Sequence, residues 1–193
     1  MYARDYRRYA WNVLTGHWGY AILAYVLYSV LYIASASLAG LGPLVVYGPL
    51  MVGMSGMYMG LVRRHELSVE RFFDGFTCGF VDNFLAGLLV GLFTFLWSLL
   101  FIIPGIVKSF SYAMTPFIMA ENPNMTANES ITASRQMMDG HKGELFWLEL
   151  TFIGWSLLCI FTLGIGNLFL NPYTNAAQAS FYRNLCPRRT YIE

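Results

Sequence analysis

Asn167, Asn171, Asn175 and Gln178 recur at i, i+4, i+8 and i+11, the spacing of one helical face, inside a segment that is otherwise largely apolar. Hydrocarbon cannot hydrogen-bond an amide, so such a stripe in lipid must face other helices, a cavity or a partner. Two ionisable groups join it: Glu149, about one turn inside one apolar run, and Lys108, about one turn inside another from the opposite side. A charge at the bilayer centre costs roughly 2.5 to 3.5 kcal/mol by insertion scales, and less near the interface, where a long side chain snorkels. Lys108, Tyr112 and Thr115 share a helical face, as do Tyr47, Met51 and Ser55. These groups can bind through amides, hydroxyls and a carboxylate. Two readings stand: the stripes line a shared polar cavity, or they tie helices together at roughly 0.6 to 2 kcal/mol per bond.

Bond-breaking chemistry needs more than the sequence supplies. Gly53-Met54-Ser55-Gly56 matches the GxSG string of intramembrane serine proteases, but a serine nucleophile needs a base within reach. His17, His65 and His141 all fall at or outside the ends of apolar runs, where a ring at headgroup level capping a helix is the simpler reading. His65-Glu66 lacks the second histidine of HExxH, and no Cys and His pair has metal-ligand spacing, so neither a metal nor another cofactor is expected. Ser55 then belongs with the small residues that let helices approach, as do the GxxxG pairs Gly56/Gly60 and Gly87/Gly91. Cys78 and Cys186 lie in polar segments and Cys159 in an apolar run, which implies reduced thiols rather than a disulfide framework.

The elements that must position these residues are membrane helices. The chain is 56% hydrophobic, 17% aromatic and 12% charged, against about 25% charged in soluble domains. The expected fold is an all-α polytopic bundle in a single transmembrane domain, 1–193. Trp18 to Leu38, Leu44 to Val62, Phe84 to Ile103 and Leu145 to Leu163 read as spans, the first about 31 Å long. Ile106 to Ala120 and Ile165 to Tyr182 are weaker because of Lys108, Pro116 and the amides. Ala34-Ser35-Ala36 mimics a signal cleavage site, but the apolar run before it is at or beyond the 7 to 15 residues of a signal core, which favours a span.

Internal repetition supports the weak spans. WSLLFIIPGI from Trp97 is echoed by WSLLCIFTLGI from Trp155, and Gly16-His17-Trp18-Gly19 by Gly140-His141-Lys142-Gly143. The unit reads as surface helix, strong span, Gly/Pro turn, weaker span, over about 1–62, 63–120 and 121–185. The turns are Gly40-Leu41-Gly42-Pro43, Pro104-Gly105 and Gly164-Ile165-Gly166, and the middle unit lacks GHxG. Tyr2, Tyr6, Tyr9 and Val13 give the first surface helix an apolar face opposite Arg4, Asp5, Arg8 and Asn12. Phe72, Phe76 and Phe80 do so for the second, with Ser68 as N-cap and Leu67/Phe72 as staple. The third carries Ala127, Ile131, Ser134 and Met138 behind a Thr126/Glu129 capping box. Such helices lie in the interface. Eleven of the twelve Lys and Arg residues fall in the termini and the two linkers, Lys108 being the exception, which places both termini and both linkers in the cytosol and requires six spans.

The stretches WSLLFIIPGIVKSFSYAM, AENP, SRQMMDGHKGELFWLELTFIGW and TLGIGNLFLNPY resemble a family of bacterial multi-pass membrane proteins, domain of unknown function 975. The family is similar in turn to the membrane domain of some glycerophosphodiester phosphodiesterases, which implies lipid or envelope biology and carries over no catalytic residue. The expectation is a non-enzymatic cell-membrane protein that binds membrane lipids, a peptide or a protein partner, a second copy included. The alternative is a small transporter or channel, its path lined by Lys108, Tyr112, Thr115, Glu149, Asn167, Asn171, Asn175 and Gln178. No basic aromatic patch suggests nucleic acid.

Overall fold

Three amphipathic helices turn the chain into three long ones. A computed structural model describes residues 3–36, 42–64, 67–161 and 166–186. Tyr2, Gly40, Leu41, His65, Glu66, Gly164, Ile165 and the tail with Arg188 and Arg189 lie outside the described residues. Among them every regular element is helical: α1 (Ala3–Leu14), α2 (Trp18–Ala36), α3 (Gly42–Arg64), α4 (Glu70–Thr77), α5 (Phe80–Leu100), α6 (Ile102–Tyr112), α7 (Thr115–Glu121), α8 (Ala127–Met137), α9 (Lys142–Phe161) and α10 (Asn167–Leu185). The chain after α1, α4 and α8 passes through a glycine with positive φ, Gly16 (93°), Gly79 (64°) and Gly140 (78°), a backbone state that side-chain-bearing residues rarely adopt. The first and third are the glycines of the GHxG echo. Gly79 takes the same left-handed state without a GHxG string.

The surface faces pack largely as their periodicity requires. Tyr6, Ala10, Val13 and Leu14 of α1 are buried, and so are Ala127, Ile131, Ser134 and Met138 around α8. The Thr126/Glu129 box closes: the Thr126 N–H donates to Glu129 Oε2 at 2.9 Å and the Glu129 N–H to Thr126 Oγ1 at 3.4 Å. The backbone bond, then the Thr126 hydroxyl, holds the Glu129 carboxyl below the usual range. A depressed carboxyl contributes stability present above its ordinary value and lost as pH falls through the folded one. Hydrogen exchange of the first-turn amides of α8 should therefore quicken as pH drops below the ordinary Glu range, while those of α4, whose N-cap makes no side-chain bond, should show no matching inflection.

Three expectations need correction. Ser68 does not cap α4, which starts at Glu70 with Val69 in the αR region as its N-cap and no side-chain cap bond. Phe80 belongs to α5 and is exposed, so the face of α4 is Phe72, fully buried, and Phe76. The turn expected at Pro104-Gly105 lies earlier, at extended Phe101 (φ −157°, ψ 141°). Pro104 sits in the first turn of α6, where its missing N–H costs nothing. Gly105 lets α6 fold back on α5, since a Cβ there would lie 2.2 Å from Ser98 Oγ. Beyond these three, the segment Ile106 to Ala120, expected as one weaker span, falls on two helices, α6 and α7.

Among the described residues three helices are long and apolar enough to cross a membrane by length and composition: Trp18–Ala36, Gly42–Arg63 and Phe80–Leu99. In α3 72% of the best window is buried, against 17% in α2 and 11% in α5, so α3 is the inner helix of this set. α2 packs on α3, α5 on α6 and α9 on α10, and α3 also touches α4, α5, α7 and α10. Where α5 crosses α3, a Cβ on Gly87 would lie 2.5 Å from Gly48 Cα, and one on Gly48 would lie 2.1 Å from the Asn83 carbonyl oxygen. Gly53 and Gly75 seat α4 on α3 equally closely, against Phe72 O and Pro49 O. Of the GxxxG pair Gly87/Gly91, only Gly87 makes a close crossing; a Cβ on Gly91 meets nothing within 4 Å.

Burial is uneven along the helices. At the end where α3, α7 and α10 terminate, called the base here, the side chains of Leu50, Met57, Tyr58, Leu61, Ala176, Ala179 and Phe181 are fully buried. Toward the other end Phe95 is 65% exposed, Leu99 75%, Leu158 59% and Ile33 71%. These apolar exposed ends are what hydrocarbon contact demands.

Candidate functional site

Two grooves open sideways, with α6 between them. The first, about 460 Å³, is bounded by α6, α9 and α10 and lined by Glu149, Asn167, Asn171, Gln178, Ser156 and Thr174 together with apolar residues that include Phe152 and Leu170. The Gln178 amide donates to Glu149 Oε1 at 2.6 Å, joining α10 to α9. The Asn171 amide donates to Asn167 O, and that of Asn175 to Asn171 O, each at 2.9 Å, so the stripe also satisfies itself along its own helix. Past Gln178 the groove ends, because Ala179, Phe181 and Tyr182 are buried in the core.

The second groove, about 440 Å³, lies among α3, α5, α6 and α7 and is mostly apolar. Tyr112 and Thr115 line it, as do Tyr47 and Met51 of the α3 stripe; Ser109 and Ala113 line both grooves. Lys108 lines neither groove; its ammonium lies 4.8 Å from the centroid of the Trp97 ring, a cation–π contact at the far end of α5. Asn175 likewise lines neither groove.

The eight expected residues therefore divide. Four share the α6–α9–α10 groove, two the other, and Lys108 and Asn175 stand apart. The single chamber expected between the second helices is absent among the described residues because α3 and α10 touch through buried Met, aromatic and Ala side chains of one apolar cluster. Gln178 ties α10 to α9, while Asn167 and Asn171 line a lateral groove instead of a shared cavity. Ser55 is buried in α3, and none of the described hydrogen bonds joins it to a histidine.

Sequence reasoning missed two polar sets. Asn83, buried to 3%, donates through its amide to the carbonyls of Gly75 and Cys78, each at 2.8 Å, fastening the end of α4 to the start of α5. Its isolation from any polar stripe hid it. The other set knits the base. Arg63 pairs with Glu121 at 2.5 Å, and the Tyr182 hydroxyl donates to the same carboxylate at 2.9 Å. Arg183 and Tyr9 donate to Val62 O, a terminal carbonyl of α3, and Asn184 donates to the Tyr6 hydroxyl. Burial, and after it Glu144, pushes the Tyr6 phenol up; burial and then Glu121 do the same to the Cys186 thiol, which disfavours its thiolate. No group of three or more His, Cys, Asp or Glu residues able to hold a metal occurs among the described residues.

Among the described residues the protein is all-helical, with three helices long and apolar enough to cross a membrane and two lateral grooves. Residues 101–189, a little under half of the chain, match the profile of the family described as Protein of unknown function (DUF975), which supports the resemblance drawn from the sequence. The match covers α6 to α10 and so the whole α6–α9–α10 groove. No curated protein and no solved structure matches the chain.

Proposed function

We propose that this chain is a multi-pass cell-membrane protein that binds rather than catalyses, taking a polar-headed lipid, a peptide or a protein partner in the α6–α9–α10 groove. In this reading six spans form three hairpins with both termini cytosolic, and α6 with α7 makes one interrupted span. The charge asymmetry and the three left-handed glycines support that topology. The similarity of the resembled family to the membrane domain of some glycerophosphodiester phosphodiesterases directs the ligand search to lipids. The observation that carries the binding reading is the Glu149–Gln178 pair at the inner end of a groove open to the side, with the Asn167 and Asn171 amides along its wall. Buried polar groups of this kind inside a membrane mark sites. A transporter is less well supported, since the groove stops at the packed base instead of crossing the bundle.

Native mass spectrometry of the protein in gentle detergent should show a retained species, and Asn171→Phe, which fills the groove, should reduce it by about tenfold or more. An empty wild-type protein that conducts ions in liposomes would favour the transporter and refute binding.

A further inference from the structure

We propose that the α3–α5–α7 groove, a second and independent site, holds one acyl chain of an anionic glycerophospholipid whose head group rests at Arg71. The groove is a wedge between helices that touch and then part. α3 and α5 meet at Gly48 and Gly87, and one turn later a Cβ on Gly91 would enter open space. Both helices are long and apolar enough to span a bilayer, so the wedge faces hydrocarbon. From Asn83 to Ser98 its wall on α5 is about 22 Å long, more than the roughly 15 Å depth of one leaflet, and room for a single chain.

Two polar features set the occupant apart from bulk hydrocarbon. Thr115, 2% exposed, lines the groove with an Oγ1 that has no hydrogen-bond partner among the described residues. An orphan hydroxyl in an apolar wall needs an acceptor, and an acyl ester carbonyl supplies one. Val52 and Met119 line this groove and also a smaller pocket of about 70 Å³ that contains Arg71, Asp74 and Cys78. Arg71 makes no ion pair among the described residues. A guanidinium beside the mouth of an acyl slot matches a phosphodiester, with Asp74 placed to accept from a head-group hydroxyl.

The test uses protein in gentle detergent with equal amounts of palmitoyl-oleoyl phosphatidylglycerol and phosphatidylcholine, read by native mass spectrometry. Wild type should retain one phospholipid and prefer phosphatidylglycerol by about fivefold, the effect of one basic side chain at an anionic surface. Gly91→Phe should reduce retention by about tenfold, while Gly154→Phe, also at an open Cβ position but on α9, should retain lipid like wild type. Arg71→Gln should keep the lipid and lose the preference. Only detergent in the wild type, undiminished lipid in Gly91→Phe, or an unchanged preference in Arg71→Gln would each overturn the proposal.

Discussion

Gly48→Leu should destabilise the purified protein by about 3 kcal/mol or more, the upper range for overpacking a core, and detach α5 from α3. The added Cβ would stand 2.1 Å from the Asn83 carbonyl oxygen and 3.2 Å from Phe84 Cα. Both are backbone atoms, so no side-chain rotation relieves the clash, and moving α5 also strains the Asn83 bonds to Gly75 and Cys78. The measurement is denaturant or thermal unfolding in detergent followed by helix content. Gly91→Leu provides the contrast: the same helix and a similar added volume, but open space, with an expected change within about 0.5 kcal/mol. Equal losses in the two variants would show that the close crossing does not set the effect, since the change from Gly to Leu by itself favours the helix.

The second large effect belongs to the base. Glu121→Leu should cost about 1 to 3 kcal/mol, the usual result of leaving hydrogen-bonding groups without their partner in a partly buried site. The Glu121 side chain is 9% exposed and that of Arg63 29%, so the abandoned guanidinium cannot fully rehydrate, and the Tyr182 hydroxyl loses its acceptor. Arg63→Leu with Glu121→Leu should recover much of the loss, because an apolar pair of similar volume leaves no uncompensated charge. A double-mutant cycle measures the coupling. A double variant as unstable as the sum of the singles would mean that the two residues act through other neighbours.

Much of this was legible in the residues themselves. The capping box at Thr126 and the apolar faces of α1 and α8 follow from local spacing, because helical periodicity and caps are written within a few residues. The amide stripe was legible as a face, and the Glu149–Gln178 bond confirms that part of it meets another helix. What the face would meet was not, since it depends on how Met57, Tyr58 and Leu61 pack the base, and apolar residues look alike in sequence whether they face lipid or a neighbour. Lys108 illustrates the same limit: its depth was readable, but its Trp97 partner depends on how the chain reverses at Phe101. Gly91 reads like Gly87 in a GxxxG string, and only the divergence of α3 and α5 separates them.

The contrast between a knitted base and parted far ends bears on bilayer thickness. A helix whose inner turns are locked by core contacts and whose outer turns meet only acyl chains can change its tilt at the free end while leaving the packed end undisturbed. Mismatch energies are fractions of a kcal/mol per Å, far below the cost of opening the buried cluster. In the membrane setting proposed above, the molecule would meet bilayers of differing thickness by adjusting one half of its length.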